Sequence, residues 1–131
     1  MKFLYIILLF ANLLLSQDRS VIFNTGSPDS LTSGYSINSN HSIANRITVS
    51  NNYVLEAMVF YMTTEQNNAM VKVSIREDND GIPGELVSEF SEWNHTVEPL
   101  NLTGYNLIVT TNQCIYLETG NYYWWTIEAA D

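Results

Sequence analysis

Between Met70 and Arg76 the chain alternates strictly, with Val71, Val73 and Ile75 on one parity and Lys72, Ser74 and Arg76 on the other. A period of two sends apolar side chains to one face and polar side chains to the other, the pattern of a half-buried β-strand. Glu77-Asp78-Asn79-Asp80-Gly81-Ile82-Pro83-Gly84 follows, and then Leu86-Val87-Ser88-Glu89-Phe90. Asp, Asn, Gly and Pro are turn formers, each for its own backbone reason. The stretch therefore predicts two strands joined by an eight-residue connection, a hairpin.

The rest of the chain has a similar texture. Val21-Ile22-Phe23, Tyr35-Ser36-Ile37 and Ile47-Thr48-Val49 are strand-sized and rich in β-branched or aromatic residues. Turn signals at Thr25-Gly26-Ser27-Pro28 and Ser33-Gly34 separate them. Tyr53 to Met62 is apolar on both parities except at Glu56, and Leu55, Met58, Val59 and Met62 also fit helical spacing. The flanking Asn51-Asn52 and the strand chemistry around it favour a central strand over a helix. Tyr105 to Thr110 and Cys114 to Glu118 read as two more strands, and a Gly120-Asn121 turn leads into Tyr122-Tyr123-Trp124-Trp125-Thr126-Ile127. Some eight strand-sized runs and no convincing helix beyond residue 17 predict an all-β, antiparallel β-sandwich of the jelly-roll kind. With 131 residues, 46% of them hydrophobic and 15% charged, the chain has enough apolar material for one core and too little length for two comfortable domains.

The amino end has a different character. Lys2 precedes an apolar run from Phe3 to Leu15, broken only by Asn12, and Ser16 offers a small residue before the polar Gln17-Asp18. This is the pattern of a signal helix over residues 1–17, removed on export, with a single domain over 18–131. The run is thirteen residues long, short of the ~20 that span a bilayer. The expectation is a secreted or cell-surface protein with no membrane span once the signal is removed. Five Lys+Arg against fourteen Asp+Glu give a net charge of −9, which argues against a nucleic-acid partner. One cysteine excludes a disulfide framework and a thiolate metal cage.

Three stretches carry a resemblance. Ser42-Ile43-Ala44-Asn45-Arg46-Ile47-Thr48-Val49, the segment from Val73 through Asp78-Asn79-Asp80-Gly81-Ile82-Pro83-Gly84 to Val87, and Leu117-Glu118-Thr119-Gly120-Asn121-Tyr122-Tyr123-Trp124-Trp125-Thr126-Ile127 lie in this order. Together they resemble the "choice-of-anchor" β-sandwich domains of bacterial surface proteins, over residues 42–127. The resemblance implies an extracellular, non-catalytic module of adhesion or structural type. Members of that family continue with at least one further strand, so the sandwich is expected to lack its last strand or strands here, the chain being read as a fragment of a longer protein in preference to one whose edge is completed differently.

Candidate chemistry is sparse. Glu77, Asp78 and Asp80, with Asn79 among them, could offer oxygens to calcium, and Glu89 stands twelfth counting from Asp78. Pro83 takes the sixth place, where a calcium loop needs glycine, and turn geometry accounts for the same residues, so no cofactor is expected. Tyr122 and Trp124 share one face of their strand, opposite Tyr123, Trp125 and Ile127. One face must be core. The other is either buried as well or an aromatic platform for a sugar ring, in which case polysaccharide or another cell-surface component is the partner. His41 and His95 are read as solvated loop residues, and Cys114 as an inert buried thiol. Asn40, Asn94 and Asn101 begin N-x-[ST] sequons, relevant only in a eukaryotic secretory route. No nucleophile elbow or nucleophile–His pairing is apparent, so no enzyme activity is expected.

Overall fold

The structure, a computed structural model, describes residues 21–22, 35–62, 64–97 and 105–130, for 105–112 the backbone alone. The signal segment over 1–17 and the turns at residues 25–28 and 33–34 lie outside these residues.

Seven strands are described: β1 (Ile43–Thr48), β2 (Tyr53–Met62), β3 (Ala69–Asn79), β4 (Ile82–Leu86), β5 (Glu92–Val97), β6 (Tyr105–Leu117) and β7 (Tyr122–Ala130). All pair antiparallel. The larger sheet runs β1-β7-β3-β4, with β5 also on β3, and β2 and β6 form the smaller one. The two sheets pack as an antiparallel β-sandwich, and the described residues contain no helix.

The alternation in Met70–Arg76 extends into the longest strand of the larger sheet. Val71, Val73 and Ile75 are buried, while Lys72 and Arg76 lie on the outer face. Two partners share one edge of β3: β5 pairs with Ala69–Ser74 and β4 with Arg76–Asn79. Ser91 bridges the handover at Ile75. Its hydroxyl donates to the Ile75 carbonyl at 3.0 Å, and its own carbonyl accepts the Ile75 N–H at 2.9 Å. Ser91 is wholly buried, so those bonds satisfy groups that water cannot reach.

The hairpin is tighter than its sequence suggests. Asn79 pairs directly with Ile82, which leaves a two-residue Asp80-Gly81 connection rather than eight. Both residues have positive φ, 52° and 89°, as the strand-matching type I′ turn requires, and Asp-Gly is a preferred pair for it. Leu86 ends β4, and Val87–Ser91 turns instead of continuing as a strand. The next strand, β5, carries Trp93, His95 and Val97 on one parity and Glu92, Asn94 and Thr96 on the other.

Tyr53–Met62 is a strand, as its flanks suggested, and its partner is one 13-residue strand rather than two. Leu55 pairs with Ile115 and Ala57 with Thr110, so the single residue Glu56 faces a four-residue bulge, Thr111–Cys114. The bulge changes which parity faces inward: Tyr53 and Leu55 point to the core before it, Met58, Phe60 and Met62 after it. Tyr35-Ser36-Ile37 is irregular, followed by an isolated bridge between Asn38 and His41.

The core lies between the sheets in two adjoining groups. Val49, Leu55, Ile75, Ile115, Leu117 and Tyr123 form one, and Val71, Val73, Val97 and Ile127 form the other. Met58, Trp93 and Trp125 touch both, joining them into one interior. Trp125 also meets the Phe60 ring at a tilt, with centroids 5.3 Å apart. The buried Tyr123 hydroxyl accepts the Glu118 N–H at 2.8 Å.

Candidate functional site

The outer face of the larger sheet gathers the polar parity of β1, β7, β3 and β5. Arg46 pairs across to Trp124, and Trp124 to Arg76, so two guanidinium groups flank one indole across three strands. In the next row Ala44 stands beside Thr126, Thr126 beside Ser74, and Ser74 beside Glu92. Beyond it Lys72 pairs with Glu128 on one side and Asn94 on the other. Every lysine and arginine among those described, Arg46, Lys72 and Arg76, is on this face.

Asp78 is the hub. Arg46 Nε donates to its Oδ1 and Arg46 Nη2 to its Oδ2, both at 2.8 Å, a bidentate pair of the strong kind. Trp124 Nε1 also donates to Oδ1, at 2.7 Å, and the Gly81 N–H reaches Oδ2 at 3.2 Å. The Asp80-Gly81 turn thus serves the site as well as the hairpin, because it aims one backbone N–H at this carboxylate. A carboxylate offers about four lone-pair positions, and here four donors take them. Burial of the Asp78 side chain, 15% exposed, pushes its pKa up. The bonds from Arg46, Trp124 and Gly81, with the Arg46 charge, outweigh this and hold the carboxyl below its ordinary 3.8.

The Arg46 guanidinium lies over the Tyr122 ring, 3.9 Å from its centroid. Tyr122 remains 48% exposed, whereas Trp124 is half-buried with its N–H committed to Asp78. The two aromatics share a face, as their spacing implies, but they are not a bare pair of rings.

Further along, Arg76 Nε donates to Ser74 Oγ and Nη1 to the Gly84 carbonyl, both at 3.1 Å. Ser74 Oγ and Thr126 Oγ1 are 2.7 Å apart and buried beneath these longer side chains. Lys72 Nζ is 3.1 Å from Glu128 Oε2 and 3.8 Å from Glu92 Oε2, which Arg76 Nη2 approaches at 3.7 Å.

The three loop carboxylates do not converge. Glu77 pairs with Tyr123, on the strand parity opposite Asp78, and Asp80 is exposed at the turn. Among the described residues no group of three His, Cys, Asp or Glu could hold a metal ion. His41 is exposed, with Nδ1 3.2 Å from Asn38 Oδ1. His95, expected in a loop, is on β5, half-buried, its Nε2 buried without a hydrogen-bond partner. Cys114 is exposed rather than buried, because it ends the bulge that breaks the inward parity of β6.

Sequence reasoning overlooked Arg46 and Arg76. Their signal was the alternation itself, since Ala44, Arg46 and Thr48 oppose Ile43 and Ile47 just as Arg76 opposes Ile75. The convergence on Asp78 spans 32 residues to Arg46 and 46 to Trp124, and no local pattern encodes it. The chain matches no family model, no curated protein and no solved structure.

Proposed function

We infer that the chain is a non-enzymatic, extracellular β-sandwich module of adhesion or structural type, presenting the outer face of its larger sheet to a cell-surface partner. The observation that carries this is the Arg46–Asp78–Trp124–Tyr122 cluster. Its side chains are locked to one another on an exposed sheet face and take no part in the core between the sheets. Fixed side chains bind with little further loss of conformational freedom, whereas a turnover site needs a group poised to attack or to exchange a proton. The export-type amino end and the resemblance to bacterial surface domains support the same reading.

A carbohydrate-binding module using Tyr122 and Trp124 is the second reading, favoured by the half-exposed Tyr122 ring. In both readings the module is displayed outside the cell. Expressed in a bacterial host, the full chain is expected outside the cytoplasm with its amino terminus just after residue 17. It is expected to be retained by cell-wall polysaccharide without releasing reducing ends. N-terminal sequencing and a reducing-sugar assay measure this. An unprocessed cytoplasmic chain, or steady release of reducing ends, would refute the proposal.

A further inference from the structure

We propose that the ligand of this face is an acidic saccharide, a uronate whose ring carboxylate is taken end-on by Arg46 while the sugar lies along the exposed part of Tyr122. This rests on the carbohydrate-binding reading above and narrows it to one chemical class.

The argument is an inventory of donors and acceptors. A neutral sugar presents hydroxyls that both donate and accept, and sites for it normally offer carboxylates or amides as acceptors. The carboxylate here is Asp78, and its lone pairs are taken by Arg46 Nε, Arg46 Nη2, Trp124 Nε1 and the Gly81 N–H. Arg46 is in the opposite condition. It uses one edge of its guanidinium on Asp78, and among the described residues nothing accepts from Nη1 or from the second hydrogen of Nη2. That remaining edge is a planar fork matched to a carboxylate. The side chain is 39% exposed, and its plane is held by Asp78 at one edge and Tyr122 beneath. The cluster therefore faces outward with donors and an aromatic surface, and it selects a ligand rich in acceptors that also carries an apolar ring face.

The charge distribution agrees. The chain carries −9 overall, yet the three described cations are all on this face, against Asp78, Glu92 and Glu128. Acids elsewhere on the molecule are screened over about 8–10 Å at physiological salt, so they weaken binding without excluding it. Arg76, across Trp124 from Arg46, already donates from Nε and Nη1 to Ser74 and Gly84, and Lys72 stands between Glu128 and Glu92, so the open guanidinium edge of this face is that of Arg46.

Titration of the chain with a galacturonic acid hexamer, its fully methyl-esterified form and maltohexaose, followed by amide NMR shifts, tests this. The acid hexamer is expected to bind, moving the Arg46, Tyr122 and Trp124 resonances and weakening as salt rises. The methyl ester, with the same rings and no carboxylate, is expected to bind at least tenfold more weakly. Arg46→Lys keeps a cation for Asp78 but loses the fork, and Tyr122→Leu loses the ring; each is expected to lose at least tenfold in acid-hexamer affinity. Thermal melts verify that both variants fold. Tyr116→Ala, at an exposed position of the smaller sheet, is expected to change the affinity less than threefold. Equal binding of acid and ester through Tyr122 would overturn the uronate assignment while leaving a carbohydrate module. Acid binding untouched by both Arg46→Lys and Tyr122→Leu would overturn the site. Failure of the intact chain to bind any of the three would overturn the saccharide assignment altogether, leaving the module reading to its export test.

Discussion

At the scale of single residues, Asp78 does more than its neighbours suggest. An exposed ion pair typically contributes little, because water competes and two long side chains must be ordered. This one differs in geometry, with a bidentate guanidinium, an indole N–H and a backbone N–H on one carboxylate. Its folded pKa is depressed, so its contribution is fully present above the ordinary 3.8 and is lost as pH falls through the folded value. Melting temperatures of the intact chain and of Asp78→Asn should thus differ by a constant amount from about pH 7 to about pH 5 and converge as pH falls below 3.8. A gap as wide at the lowest pH as at neutrality would mean that the carboxylate's charge is not what matters. Arg46 and Tyr122 could be assigned to β1 and β7 from their local patterns, but their stacking could not, since it depends on which strands become neighbours.

At the scale of elements, turns and bulges decided what periodicity left open. The connection between β3 and β4 collapses to two residues because Asp80 and Gly81 adopt the left-handed backbone that matches strand twist. A Cβ on Gly81 would meet nothing within 4 Å, so its φ of +89° is the sole obstacle to a side chain. Gly81→Ala is therefore expected to lose about 1–2 kcal/mol, the strain of placing an L-residue there, and Gly81→Asn less, since Asn tolerates this region. Urea denaturation of the two variants checks the order; equal stability with the parent in both would remove the strain argument. Gly84 is different: its backbone is not left-handed, and a Cβ there would stand 3.1 Å from the Asn79 Cβ and the Glu77 carbonyl, so close packing is its constraint. β5 was legible in principle, since Trp93, His95 and Val97 alternate with polar residues. Its polar character hid it, because three of its six residues face outward on a sheet whose outer face is itself polar. The β6 bulge was not legible, since a four-residue insertion opposite Glu56 exists only once both strands have chosen a register.

At the scale of the whole molecule, adjacent tryptophans divide the work. Trp125 reaches both parts of the interior and the Phe60 ring of the facing sheet, so it holds one layer against the other. Trp125→Ala is expected to cost about 3–5 kcal/mol, the range for emptying a core aromatic site. Trp124→Ala, on the outer face, is expected to cost clearly less. Equal losses in denaturant melts would place the outer cluster on a par with the core and refute the division. What the sequence by itself determined was the all-β class, the position of β2, β3 and β7 and, along β3, the face each residue takes. These follow from a two-residue period and from turn formers, which are properties of a few neighbouring positions. Only the tertiary structure decided that β7 lies between β1 and β3, and hence that Arg46, Trp124 and Asp78, far apart along the chain, meet on one face. Strand order is set by how two apolar faces close over a shared core, a global condition that no local run of residues contains.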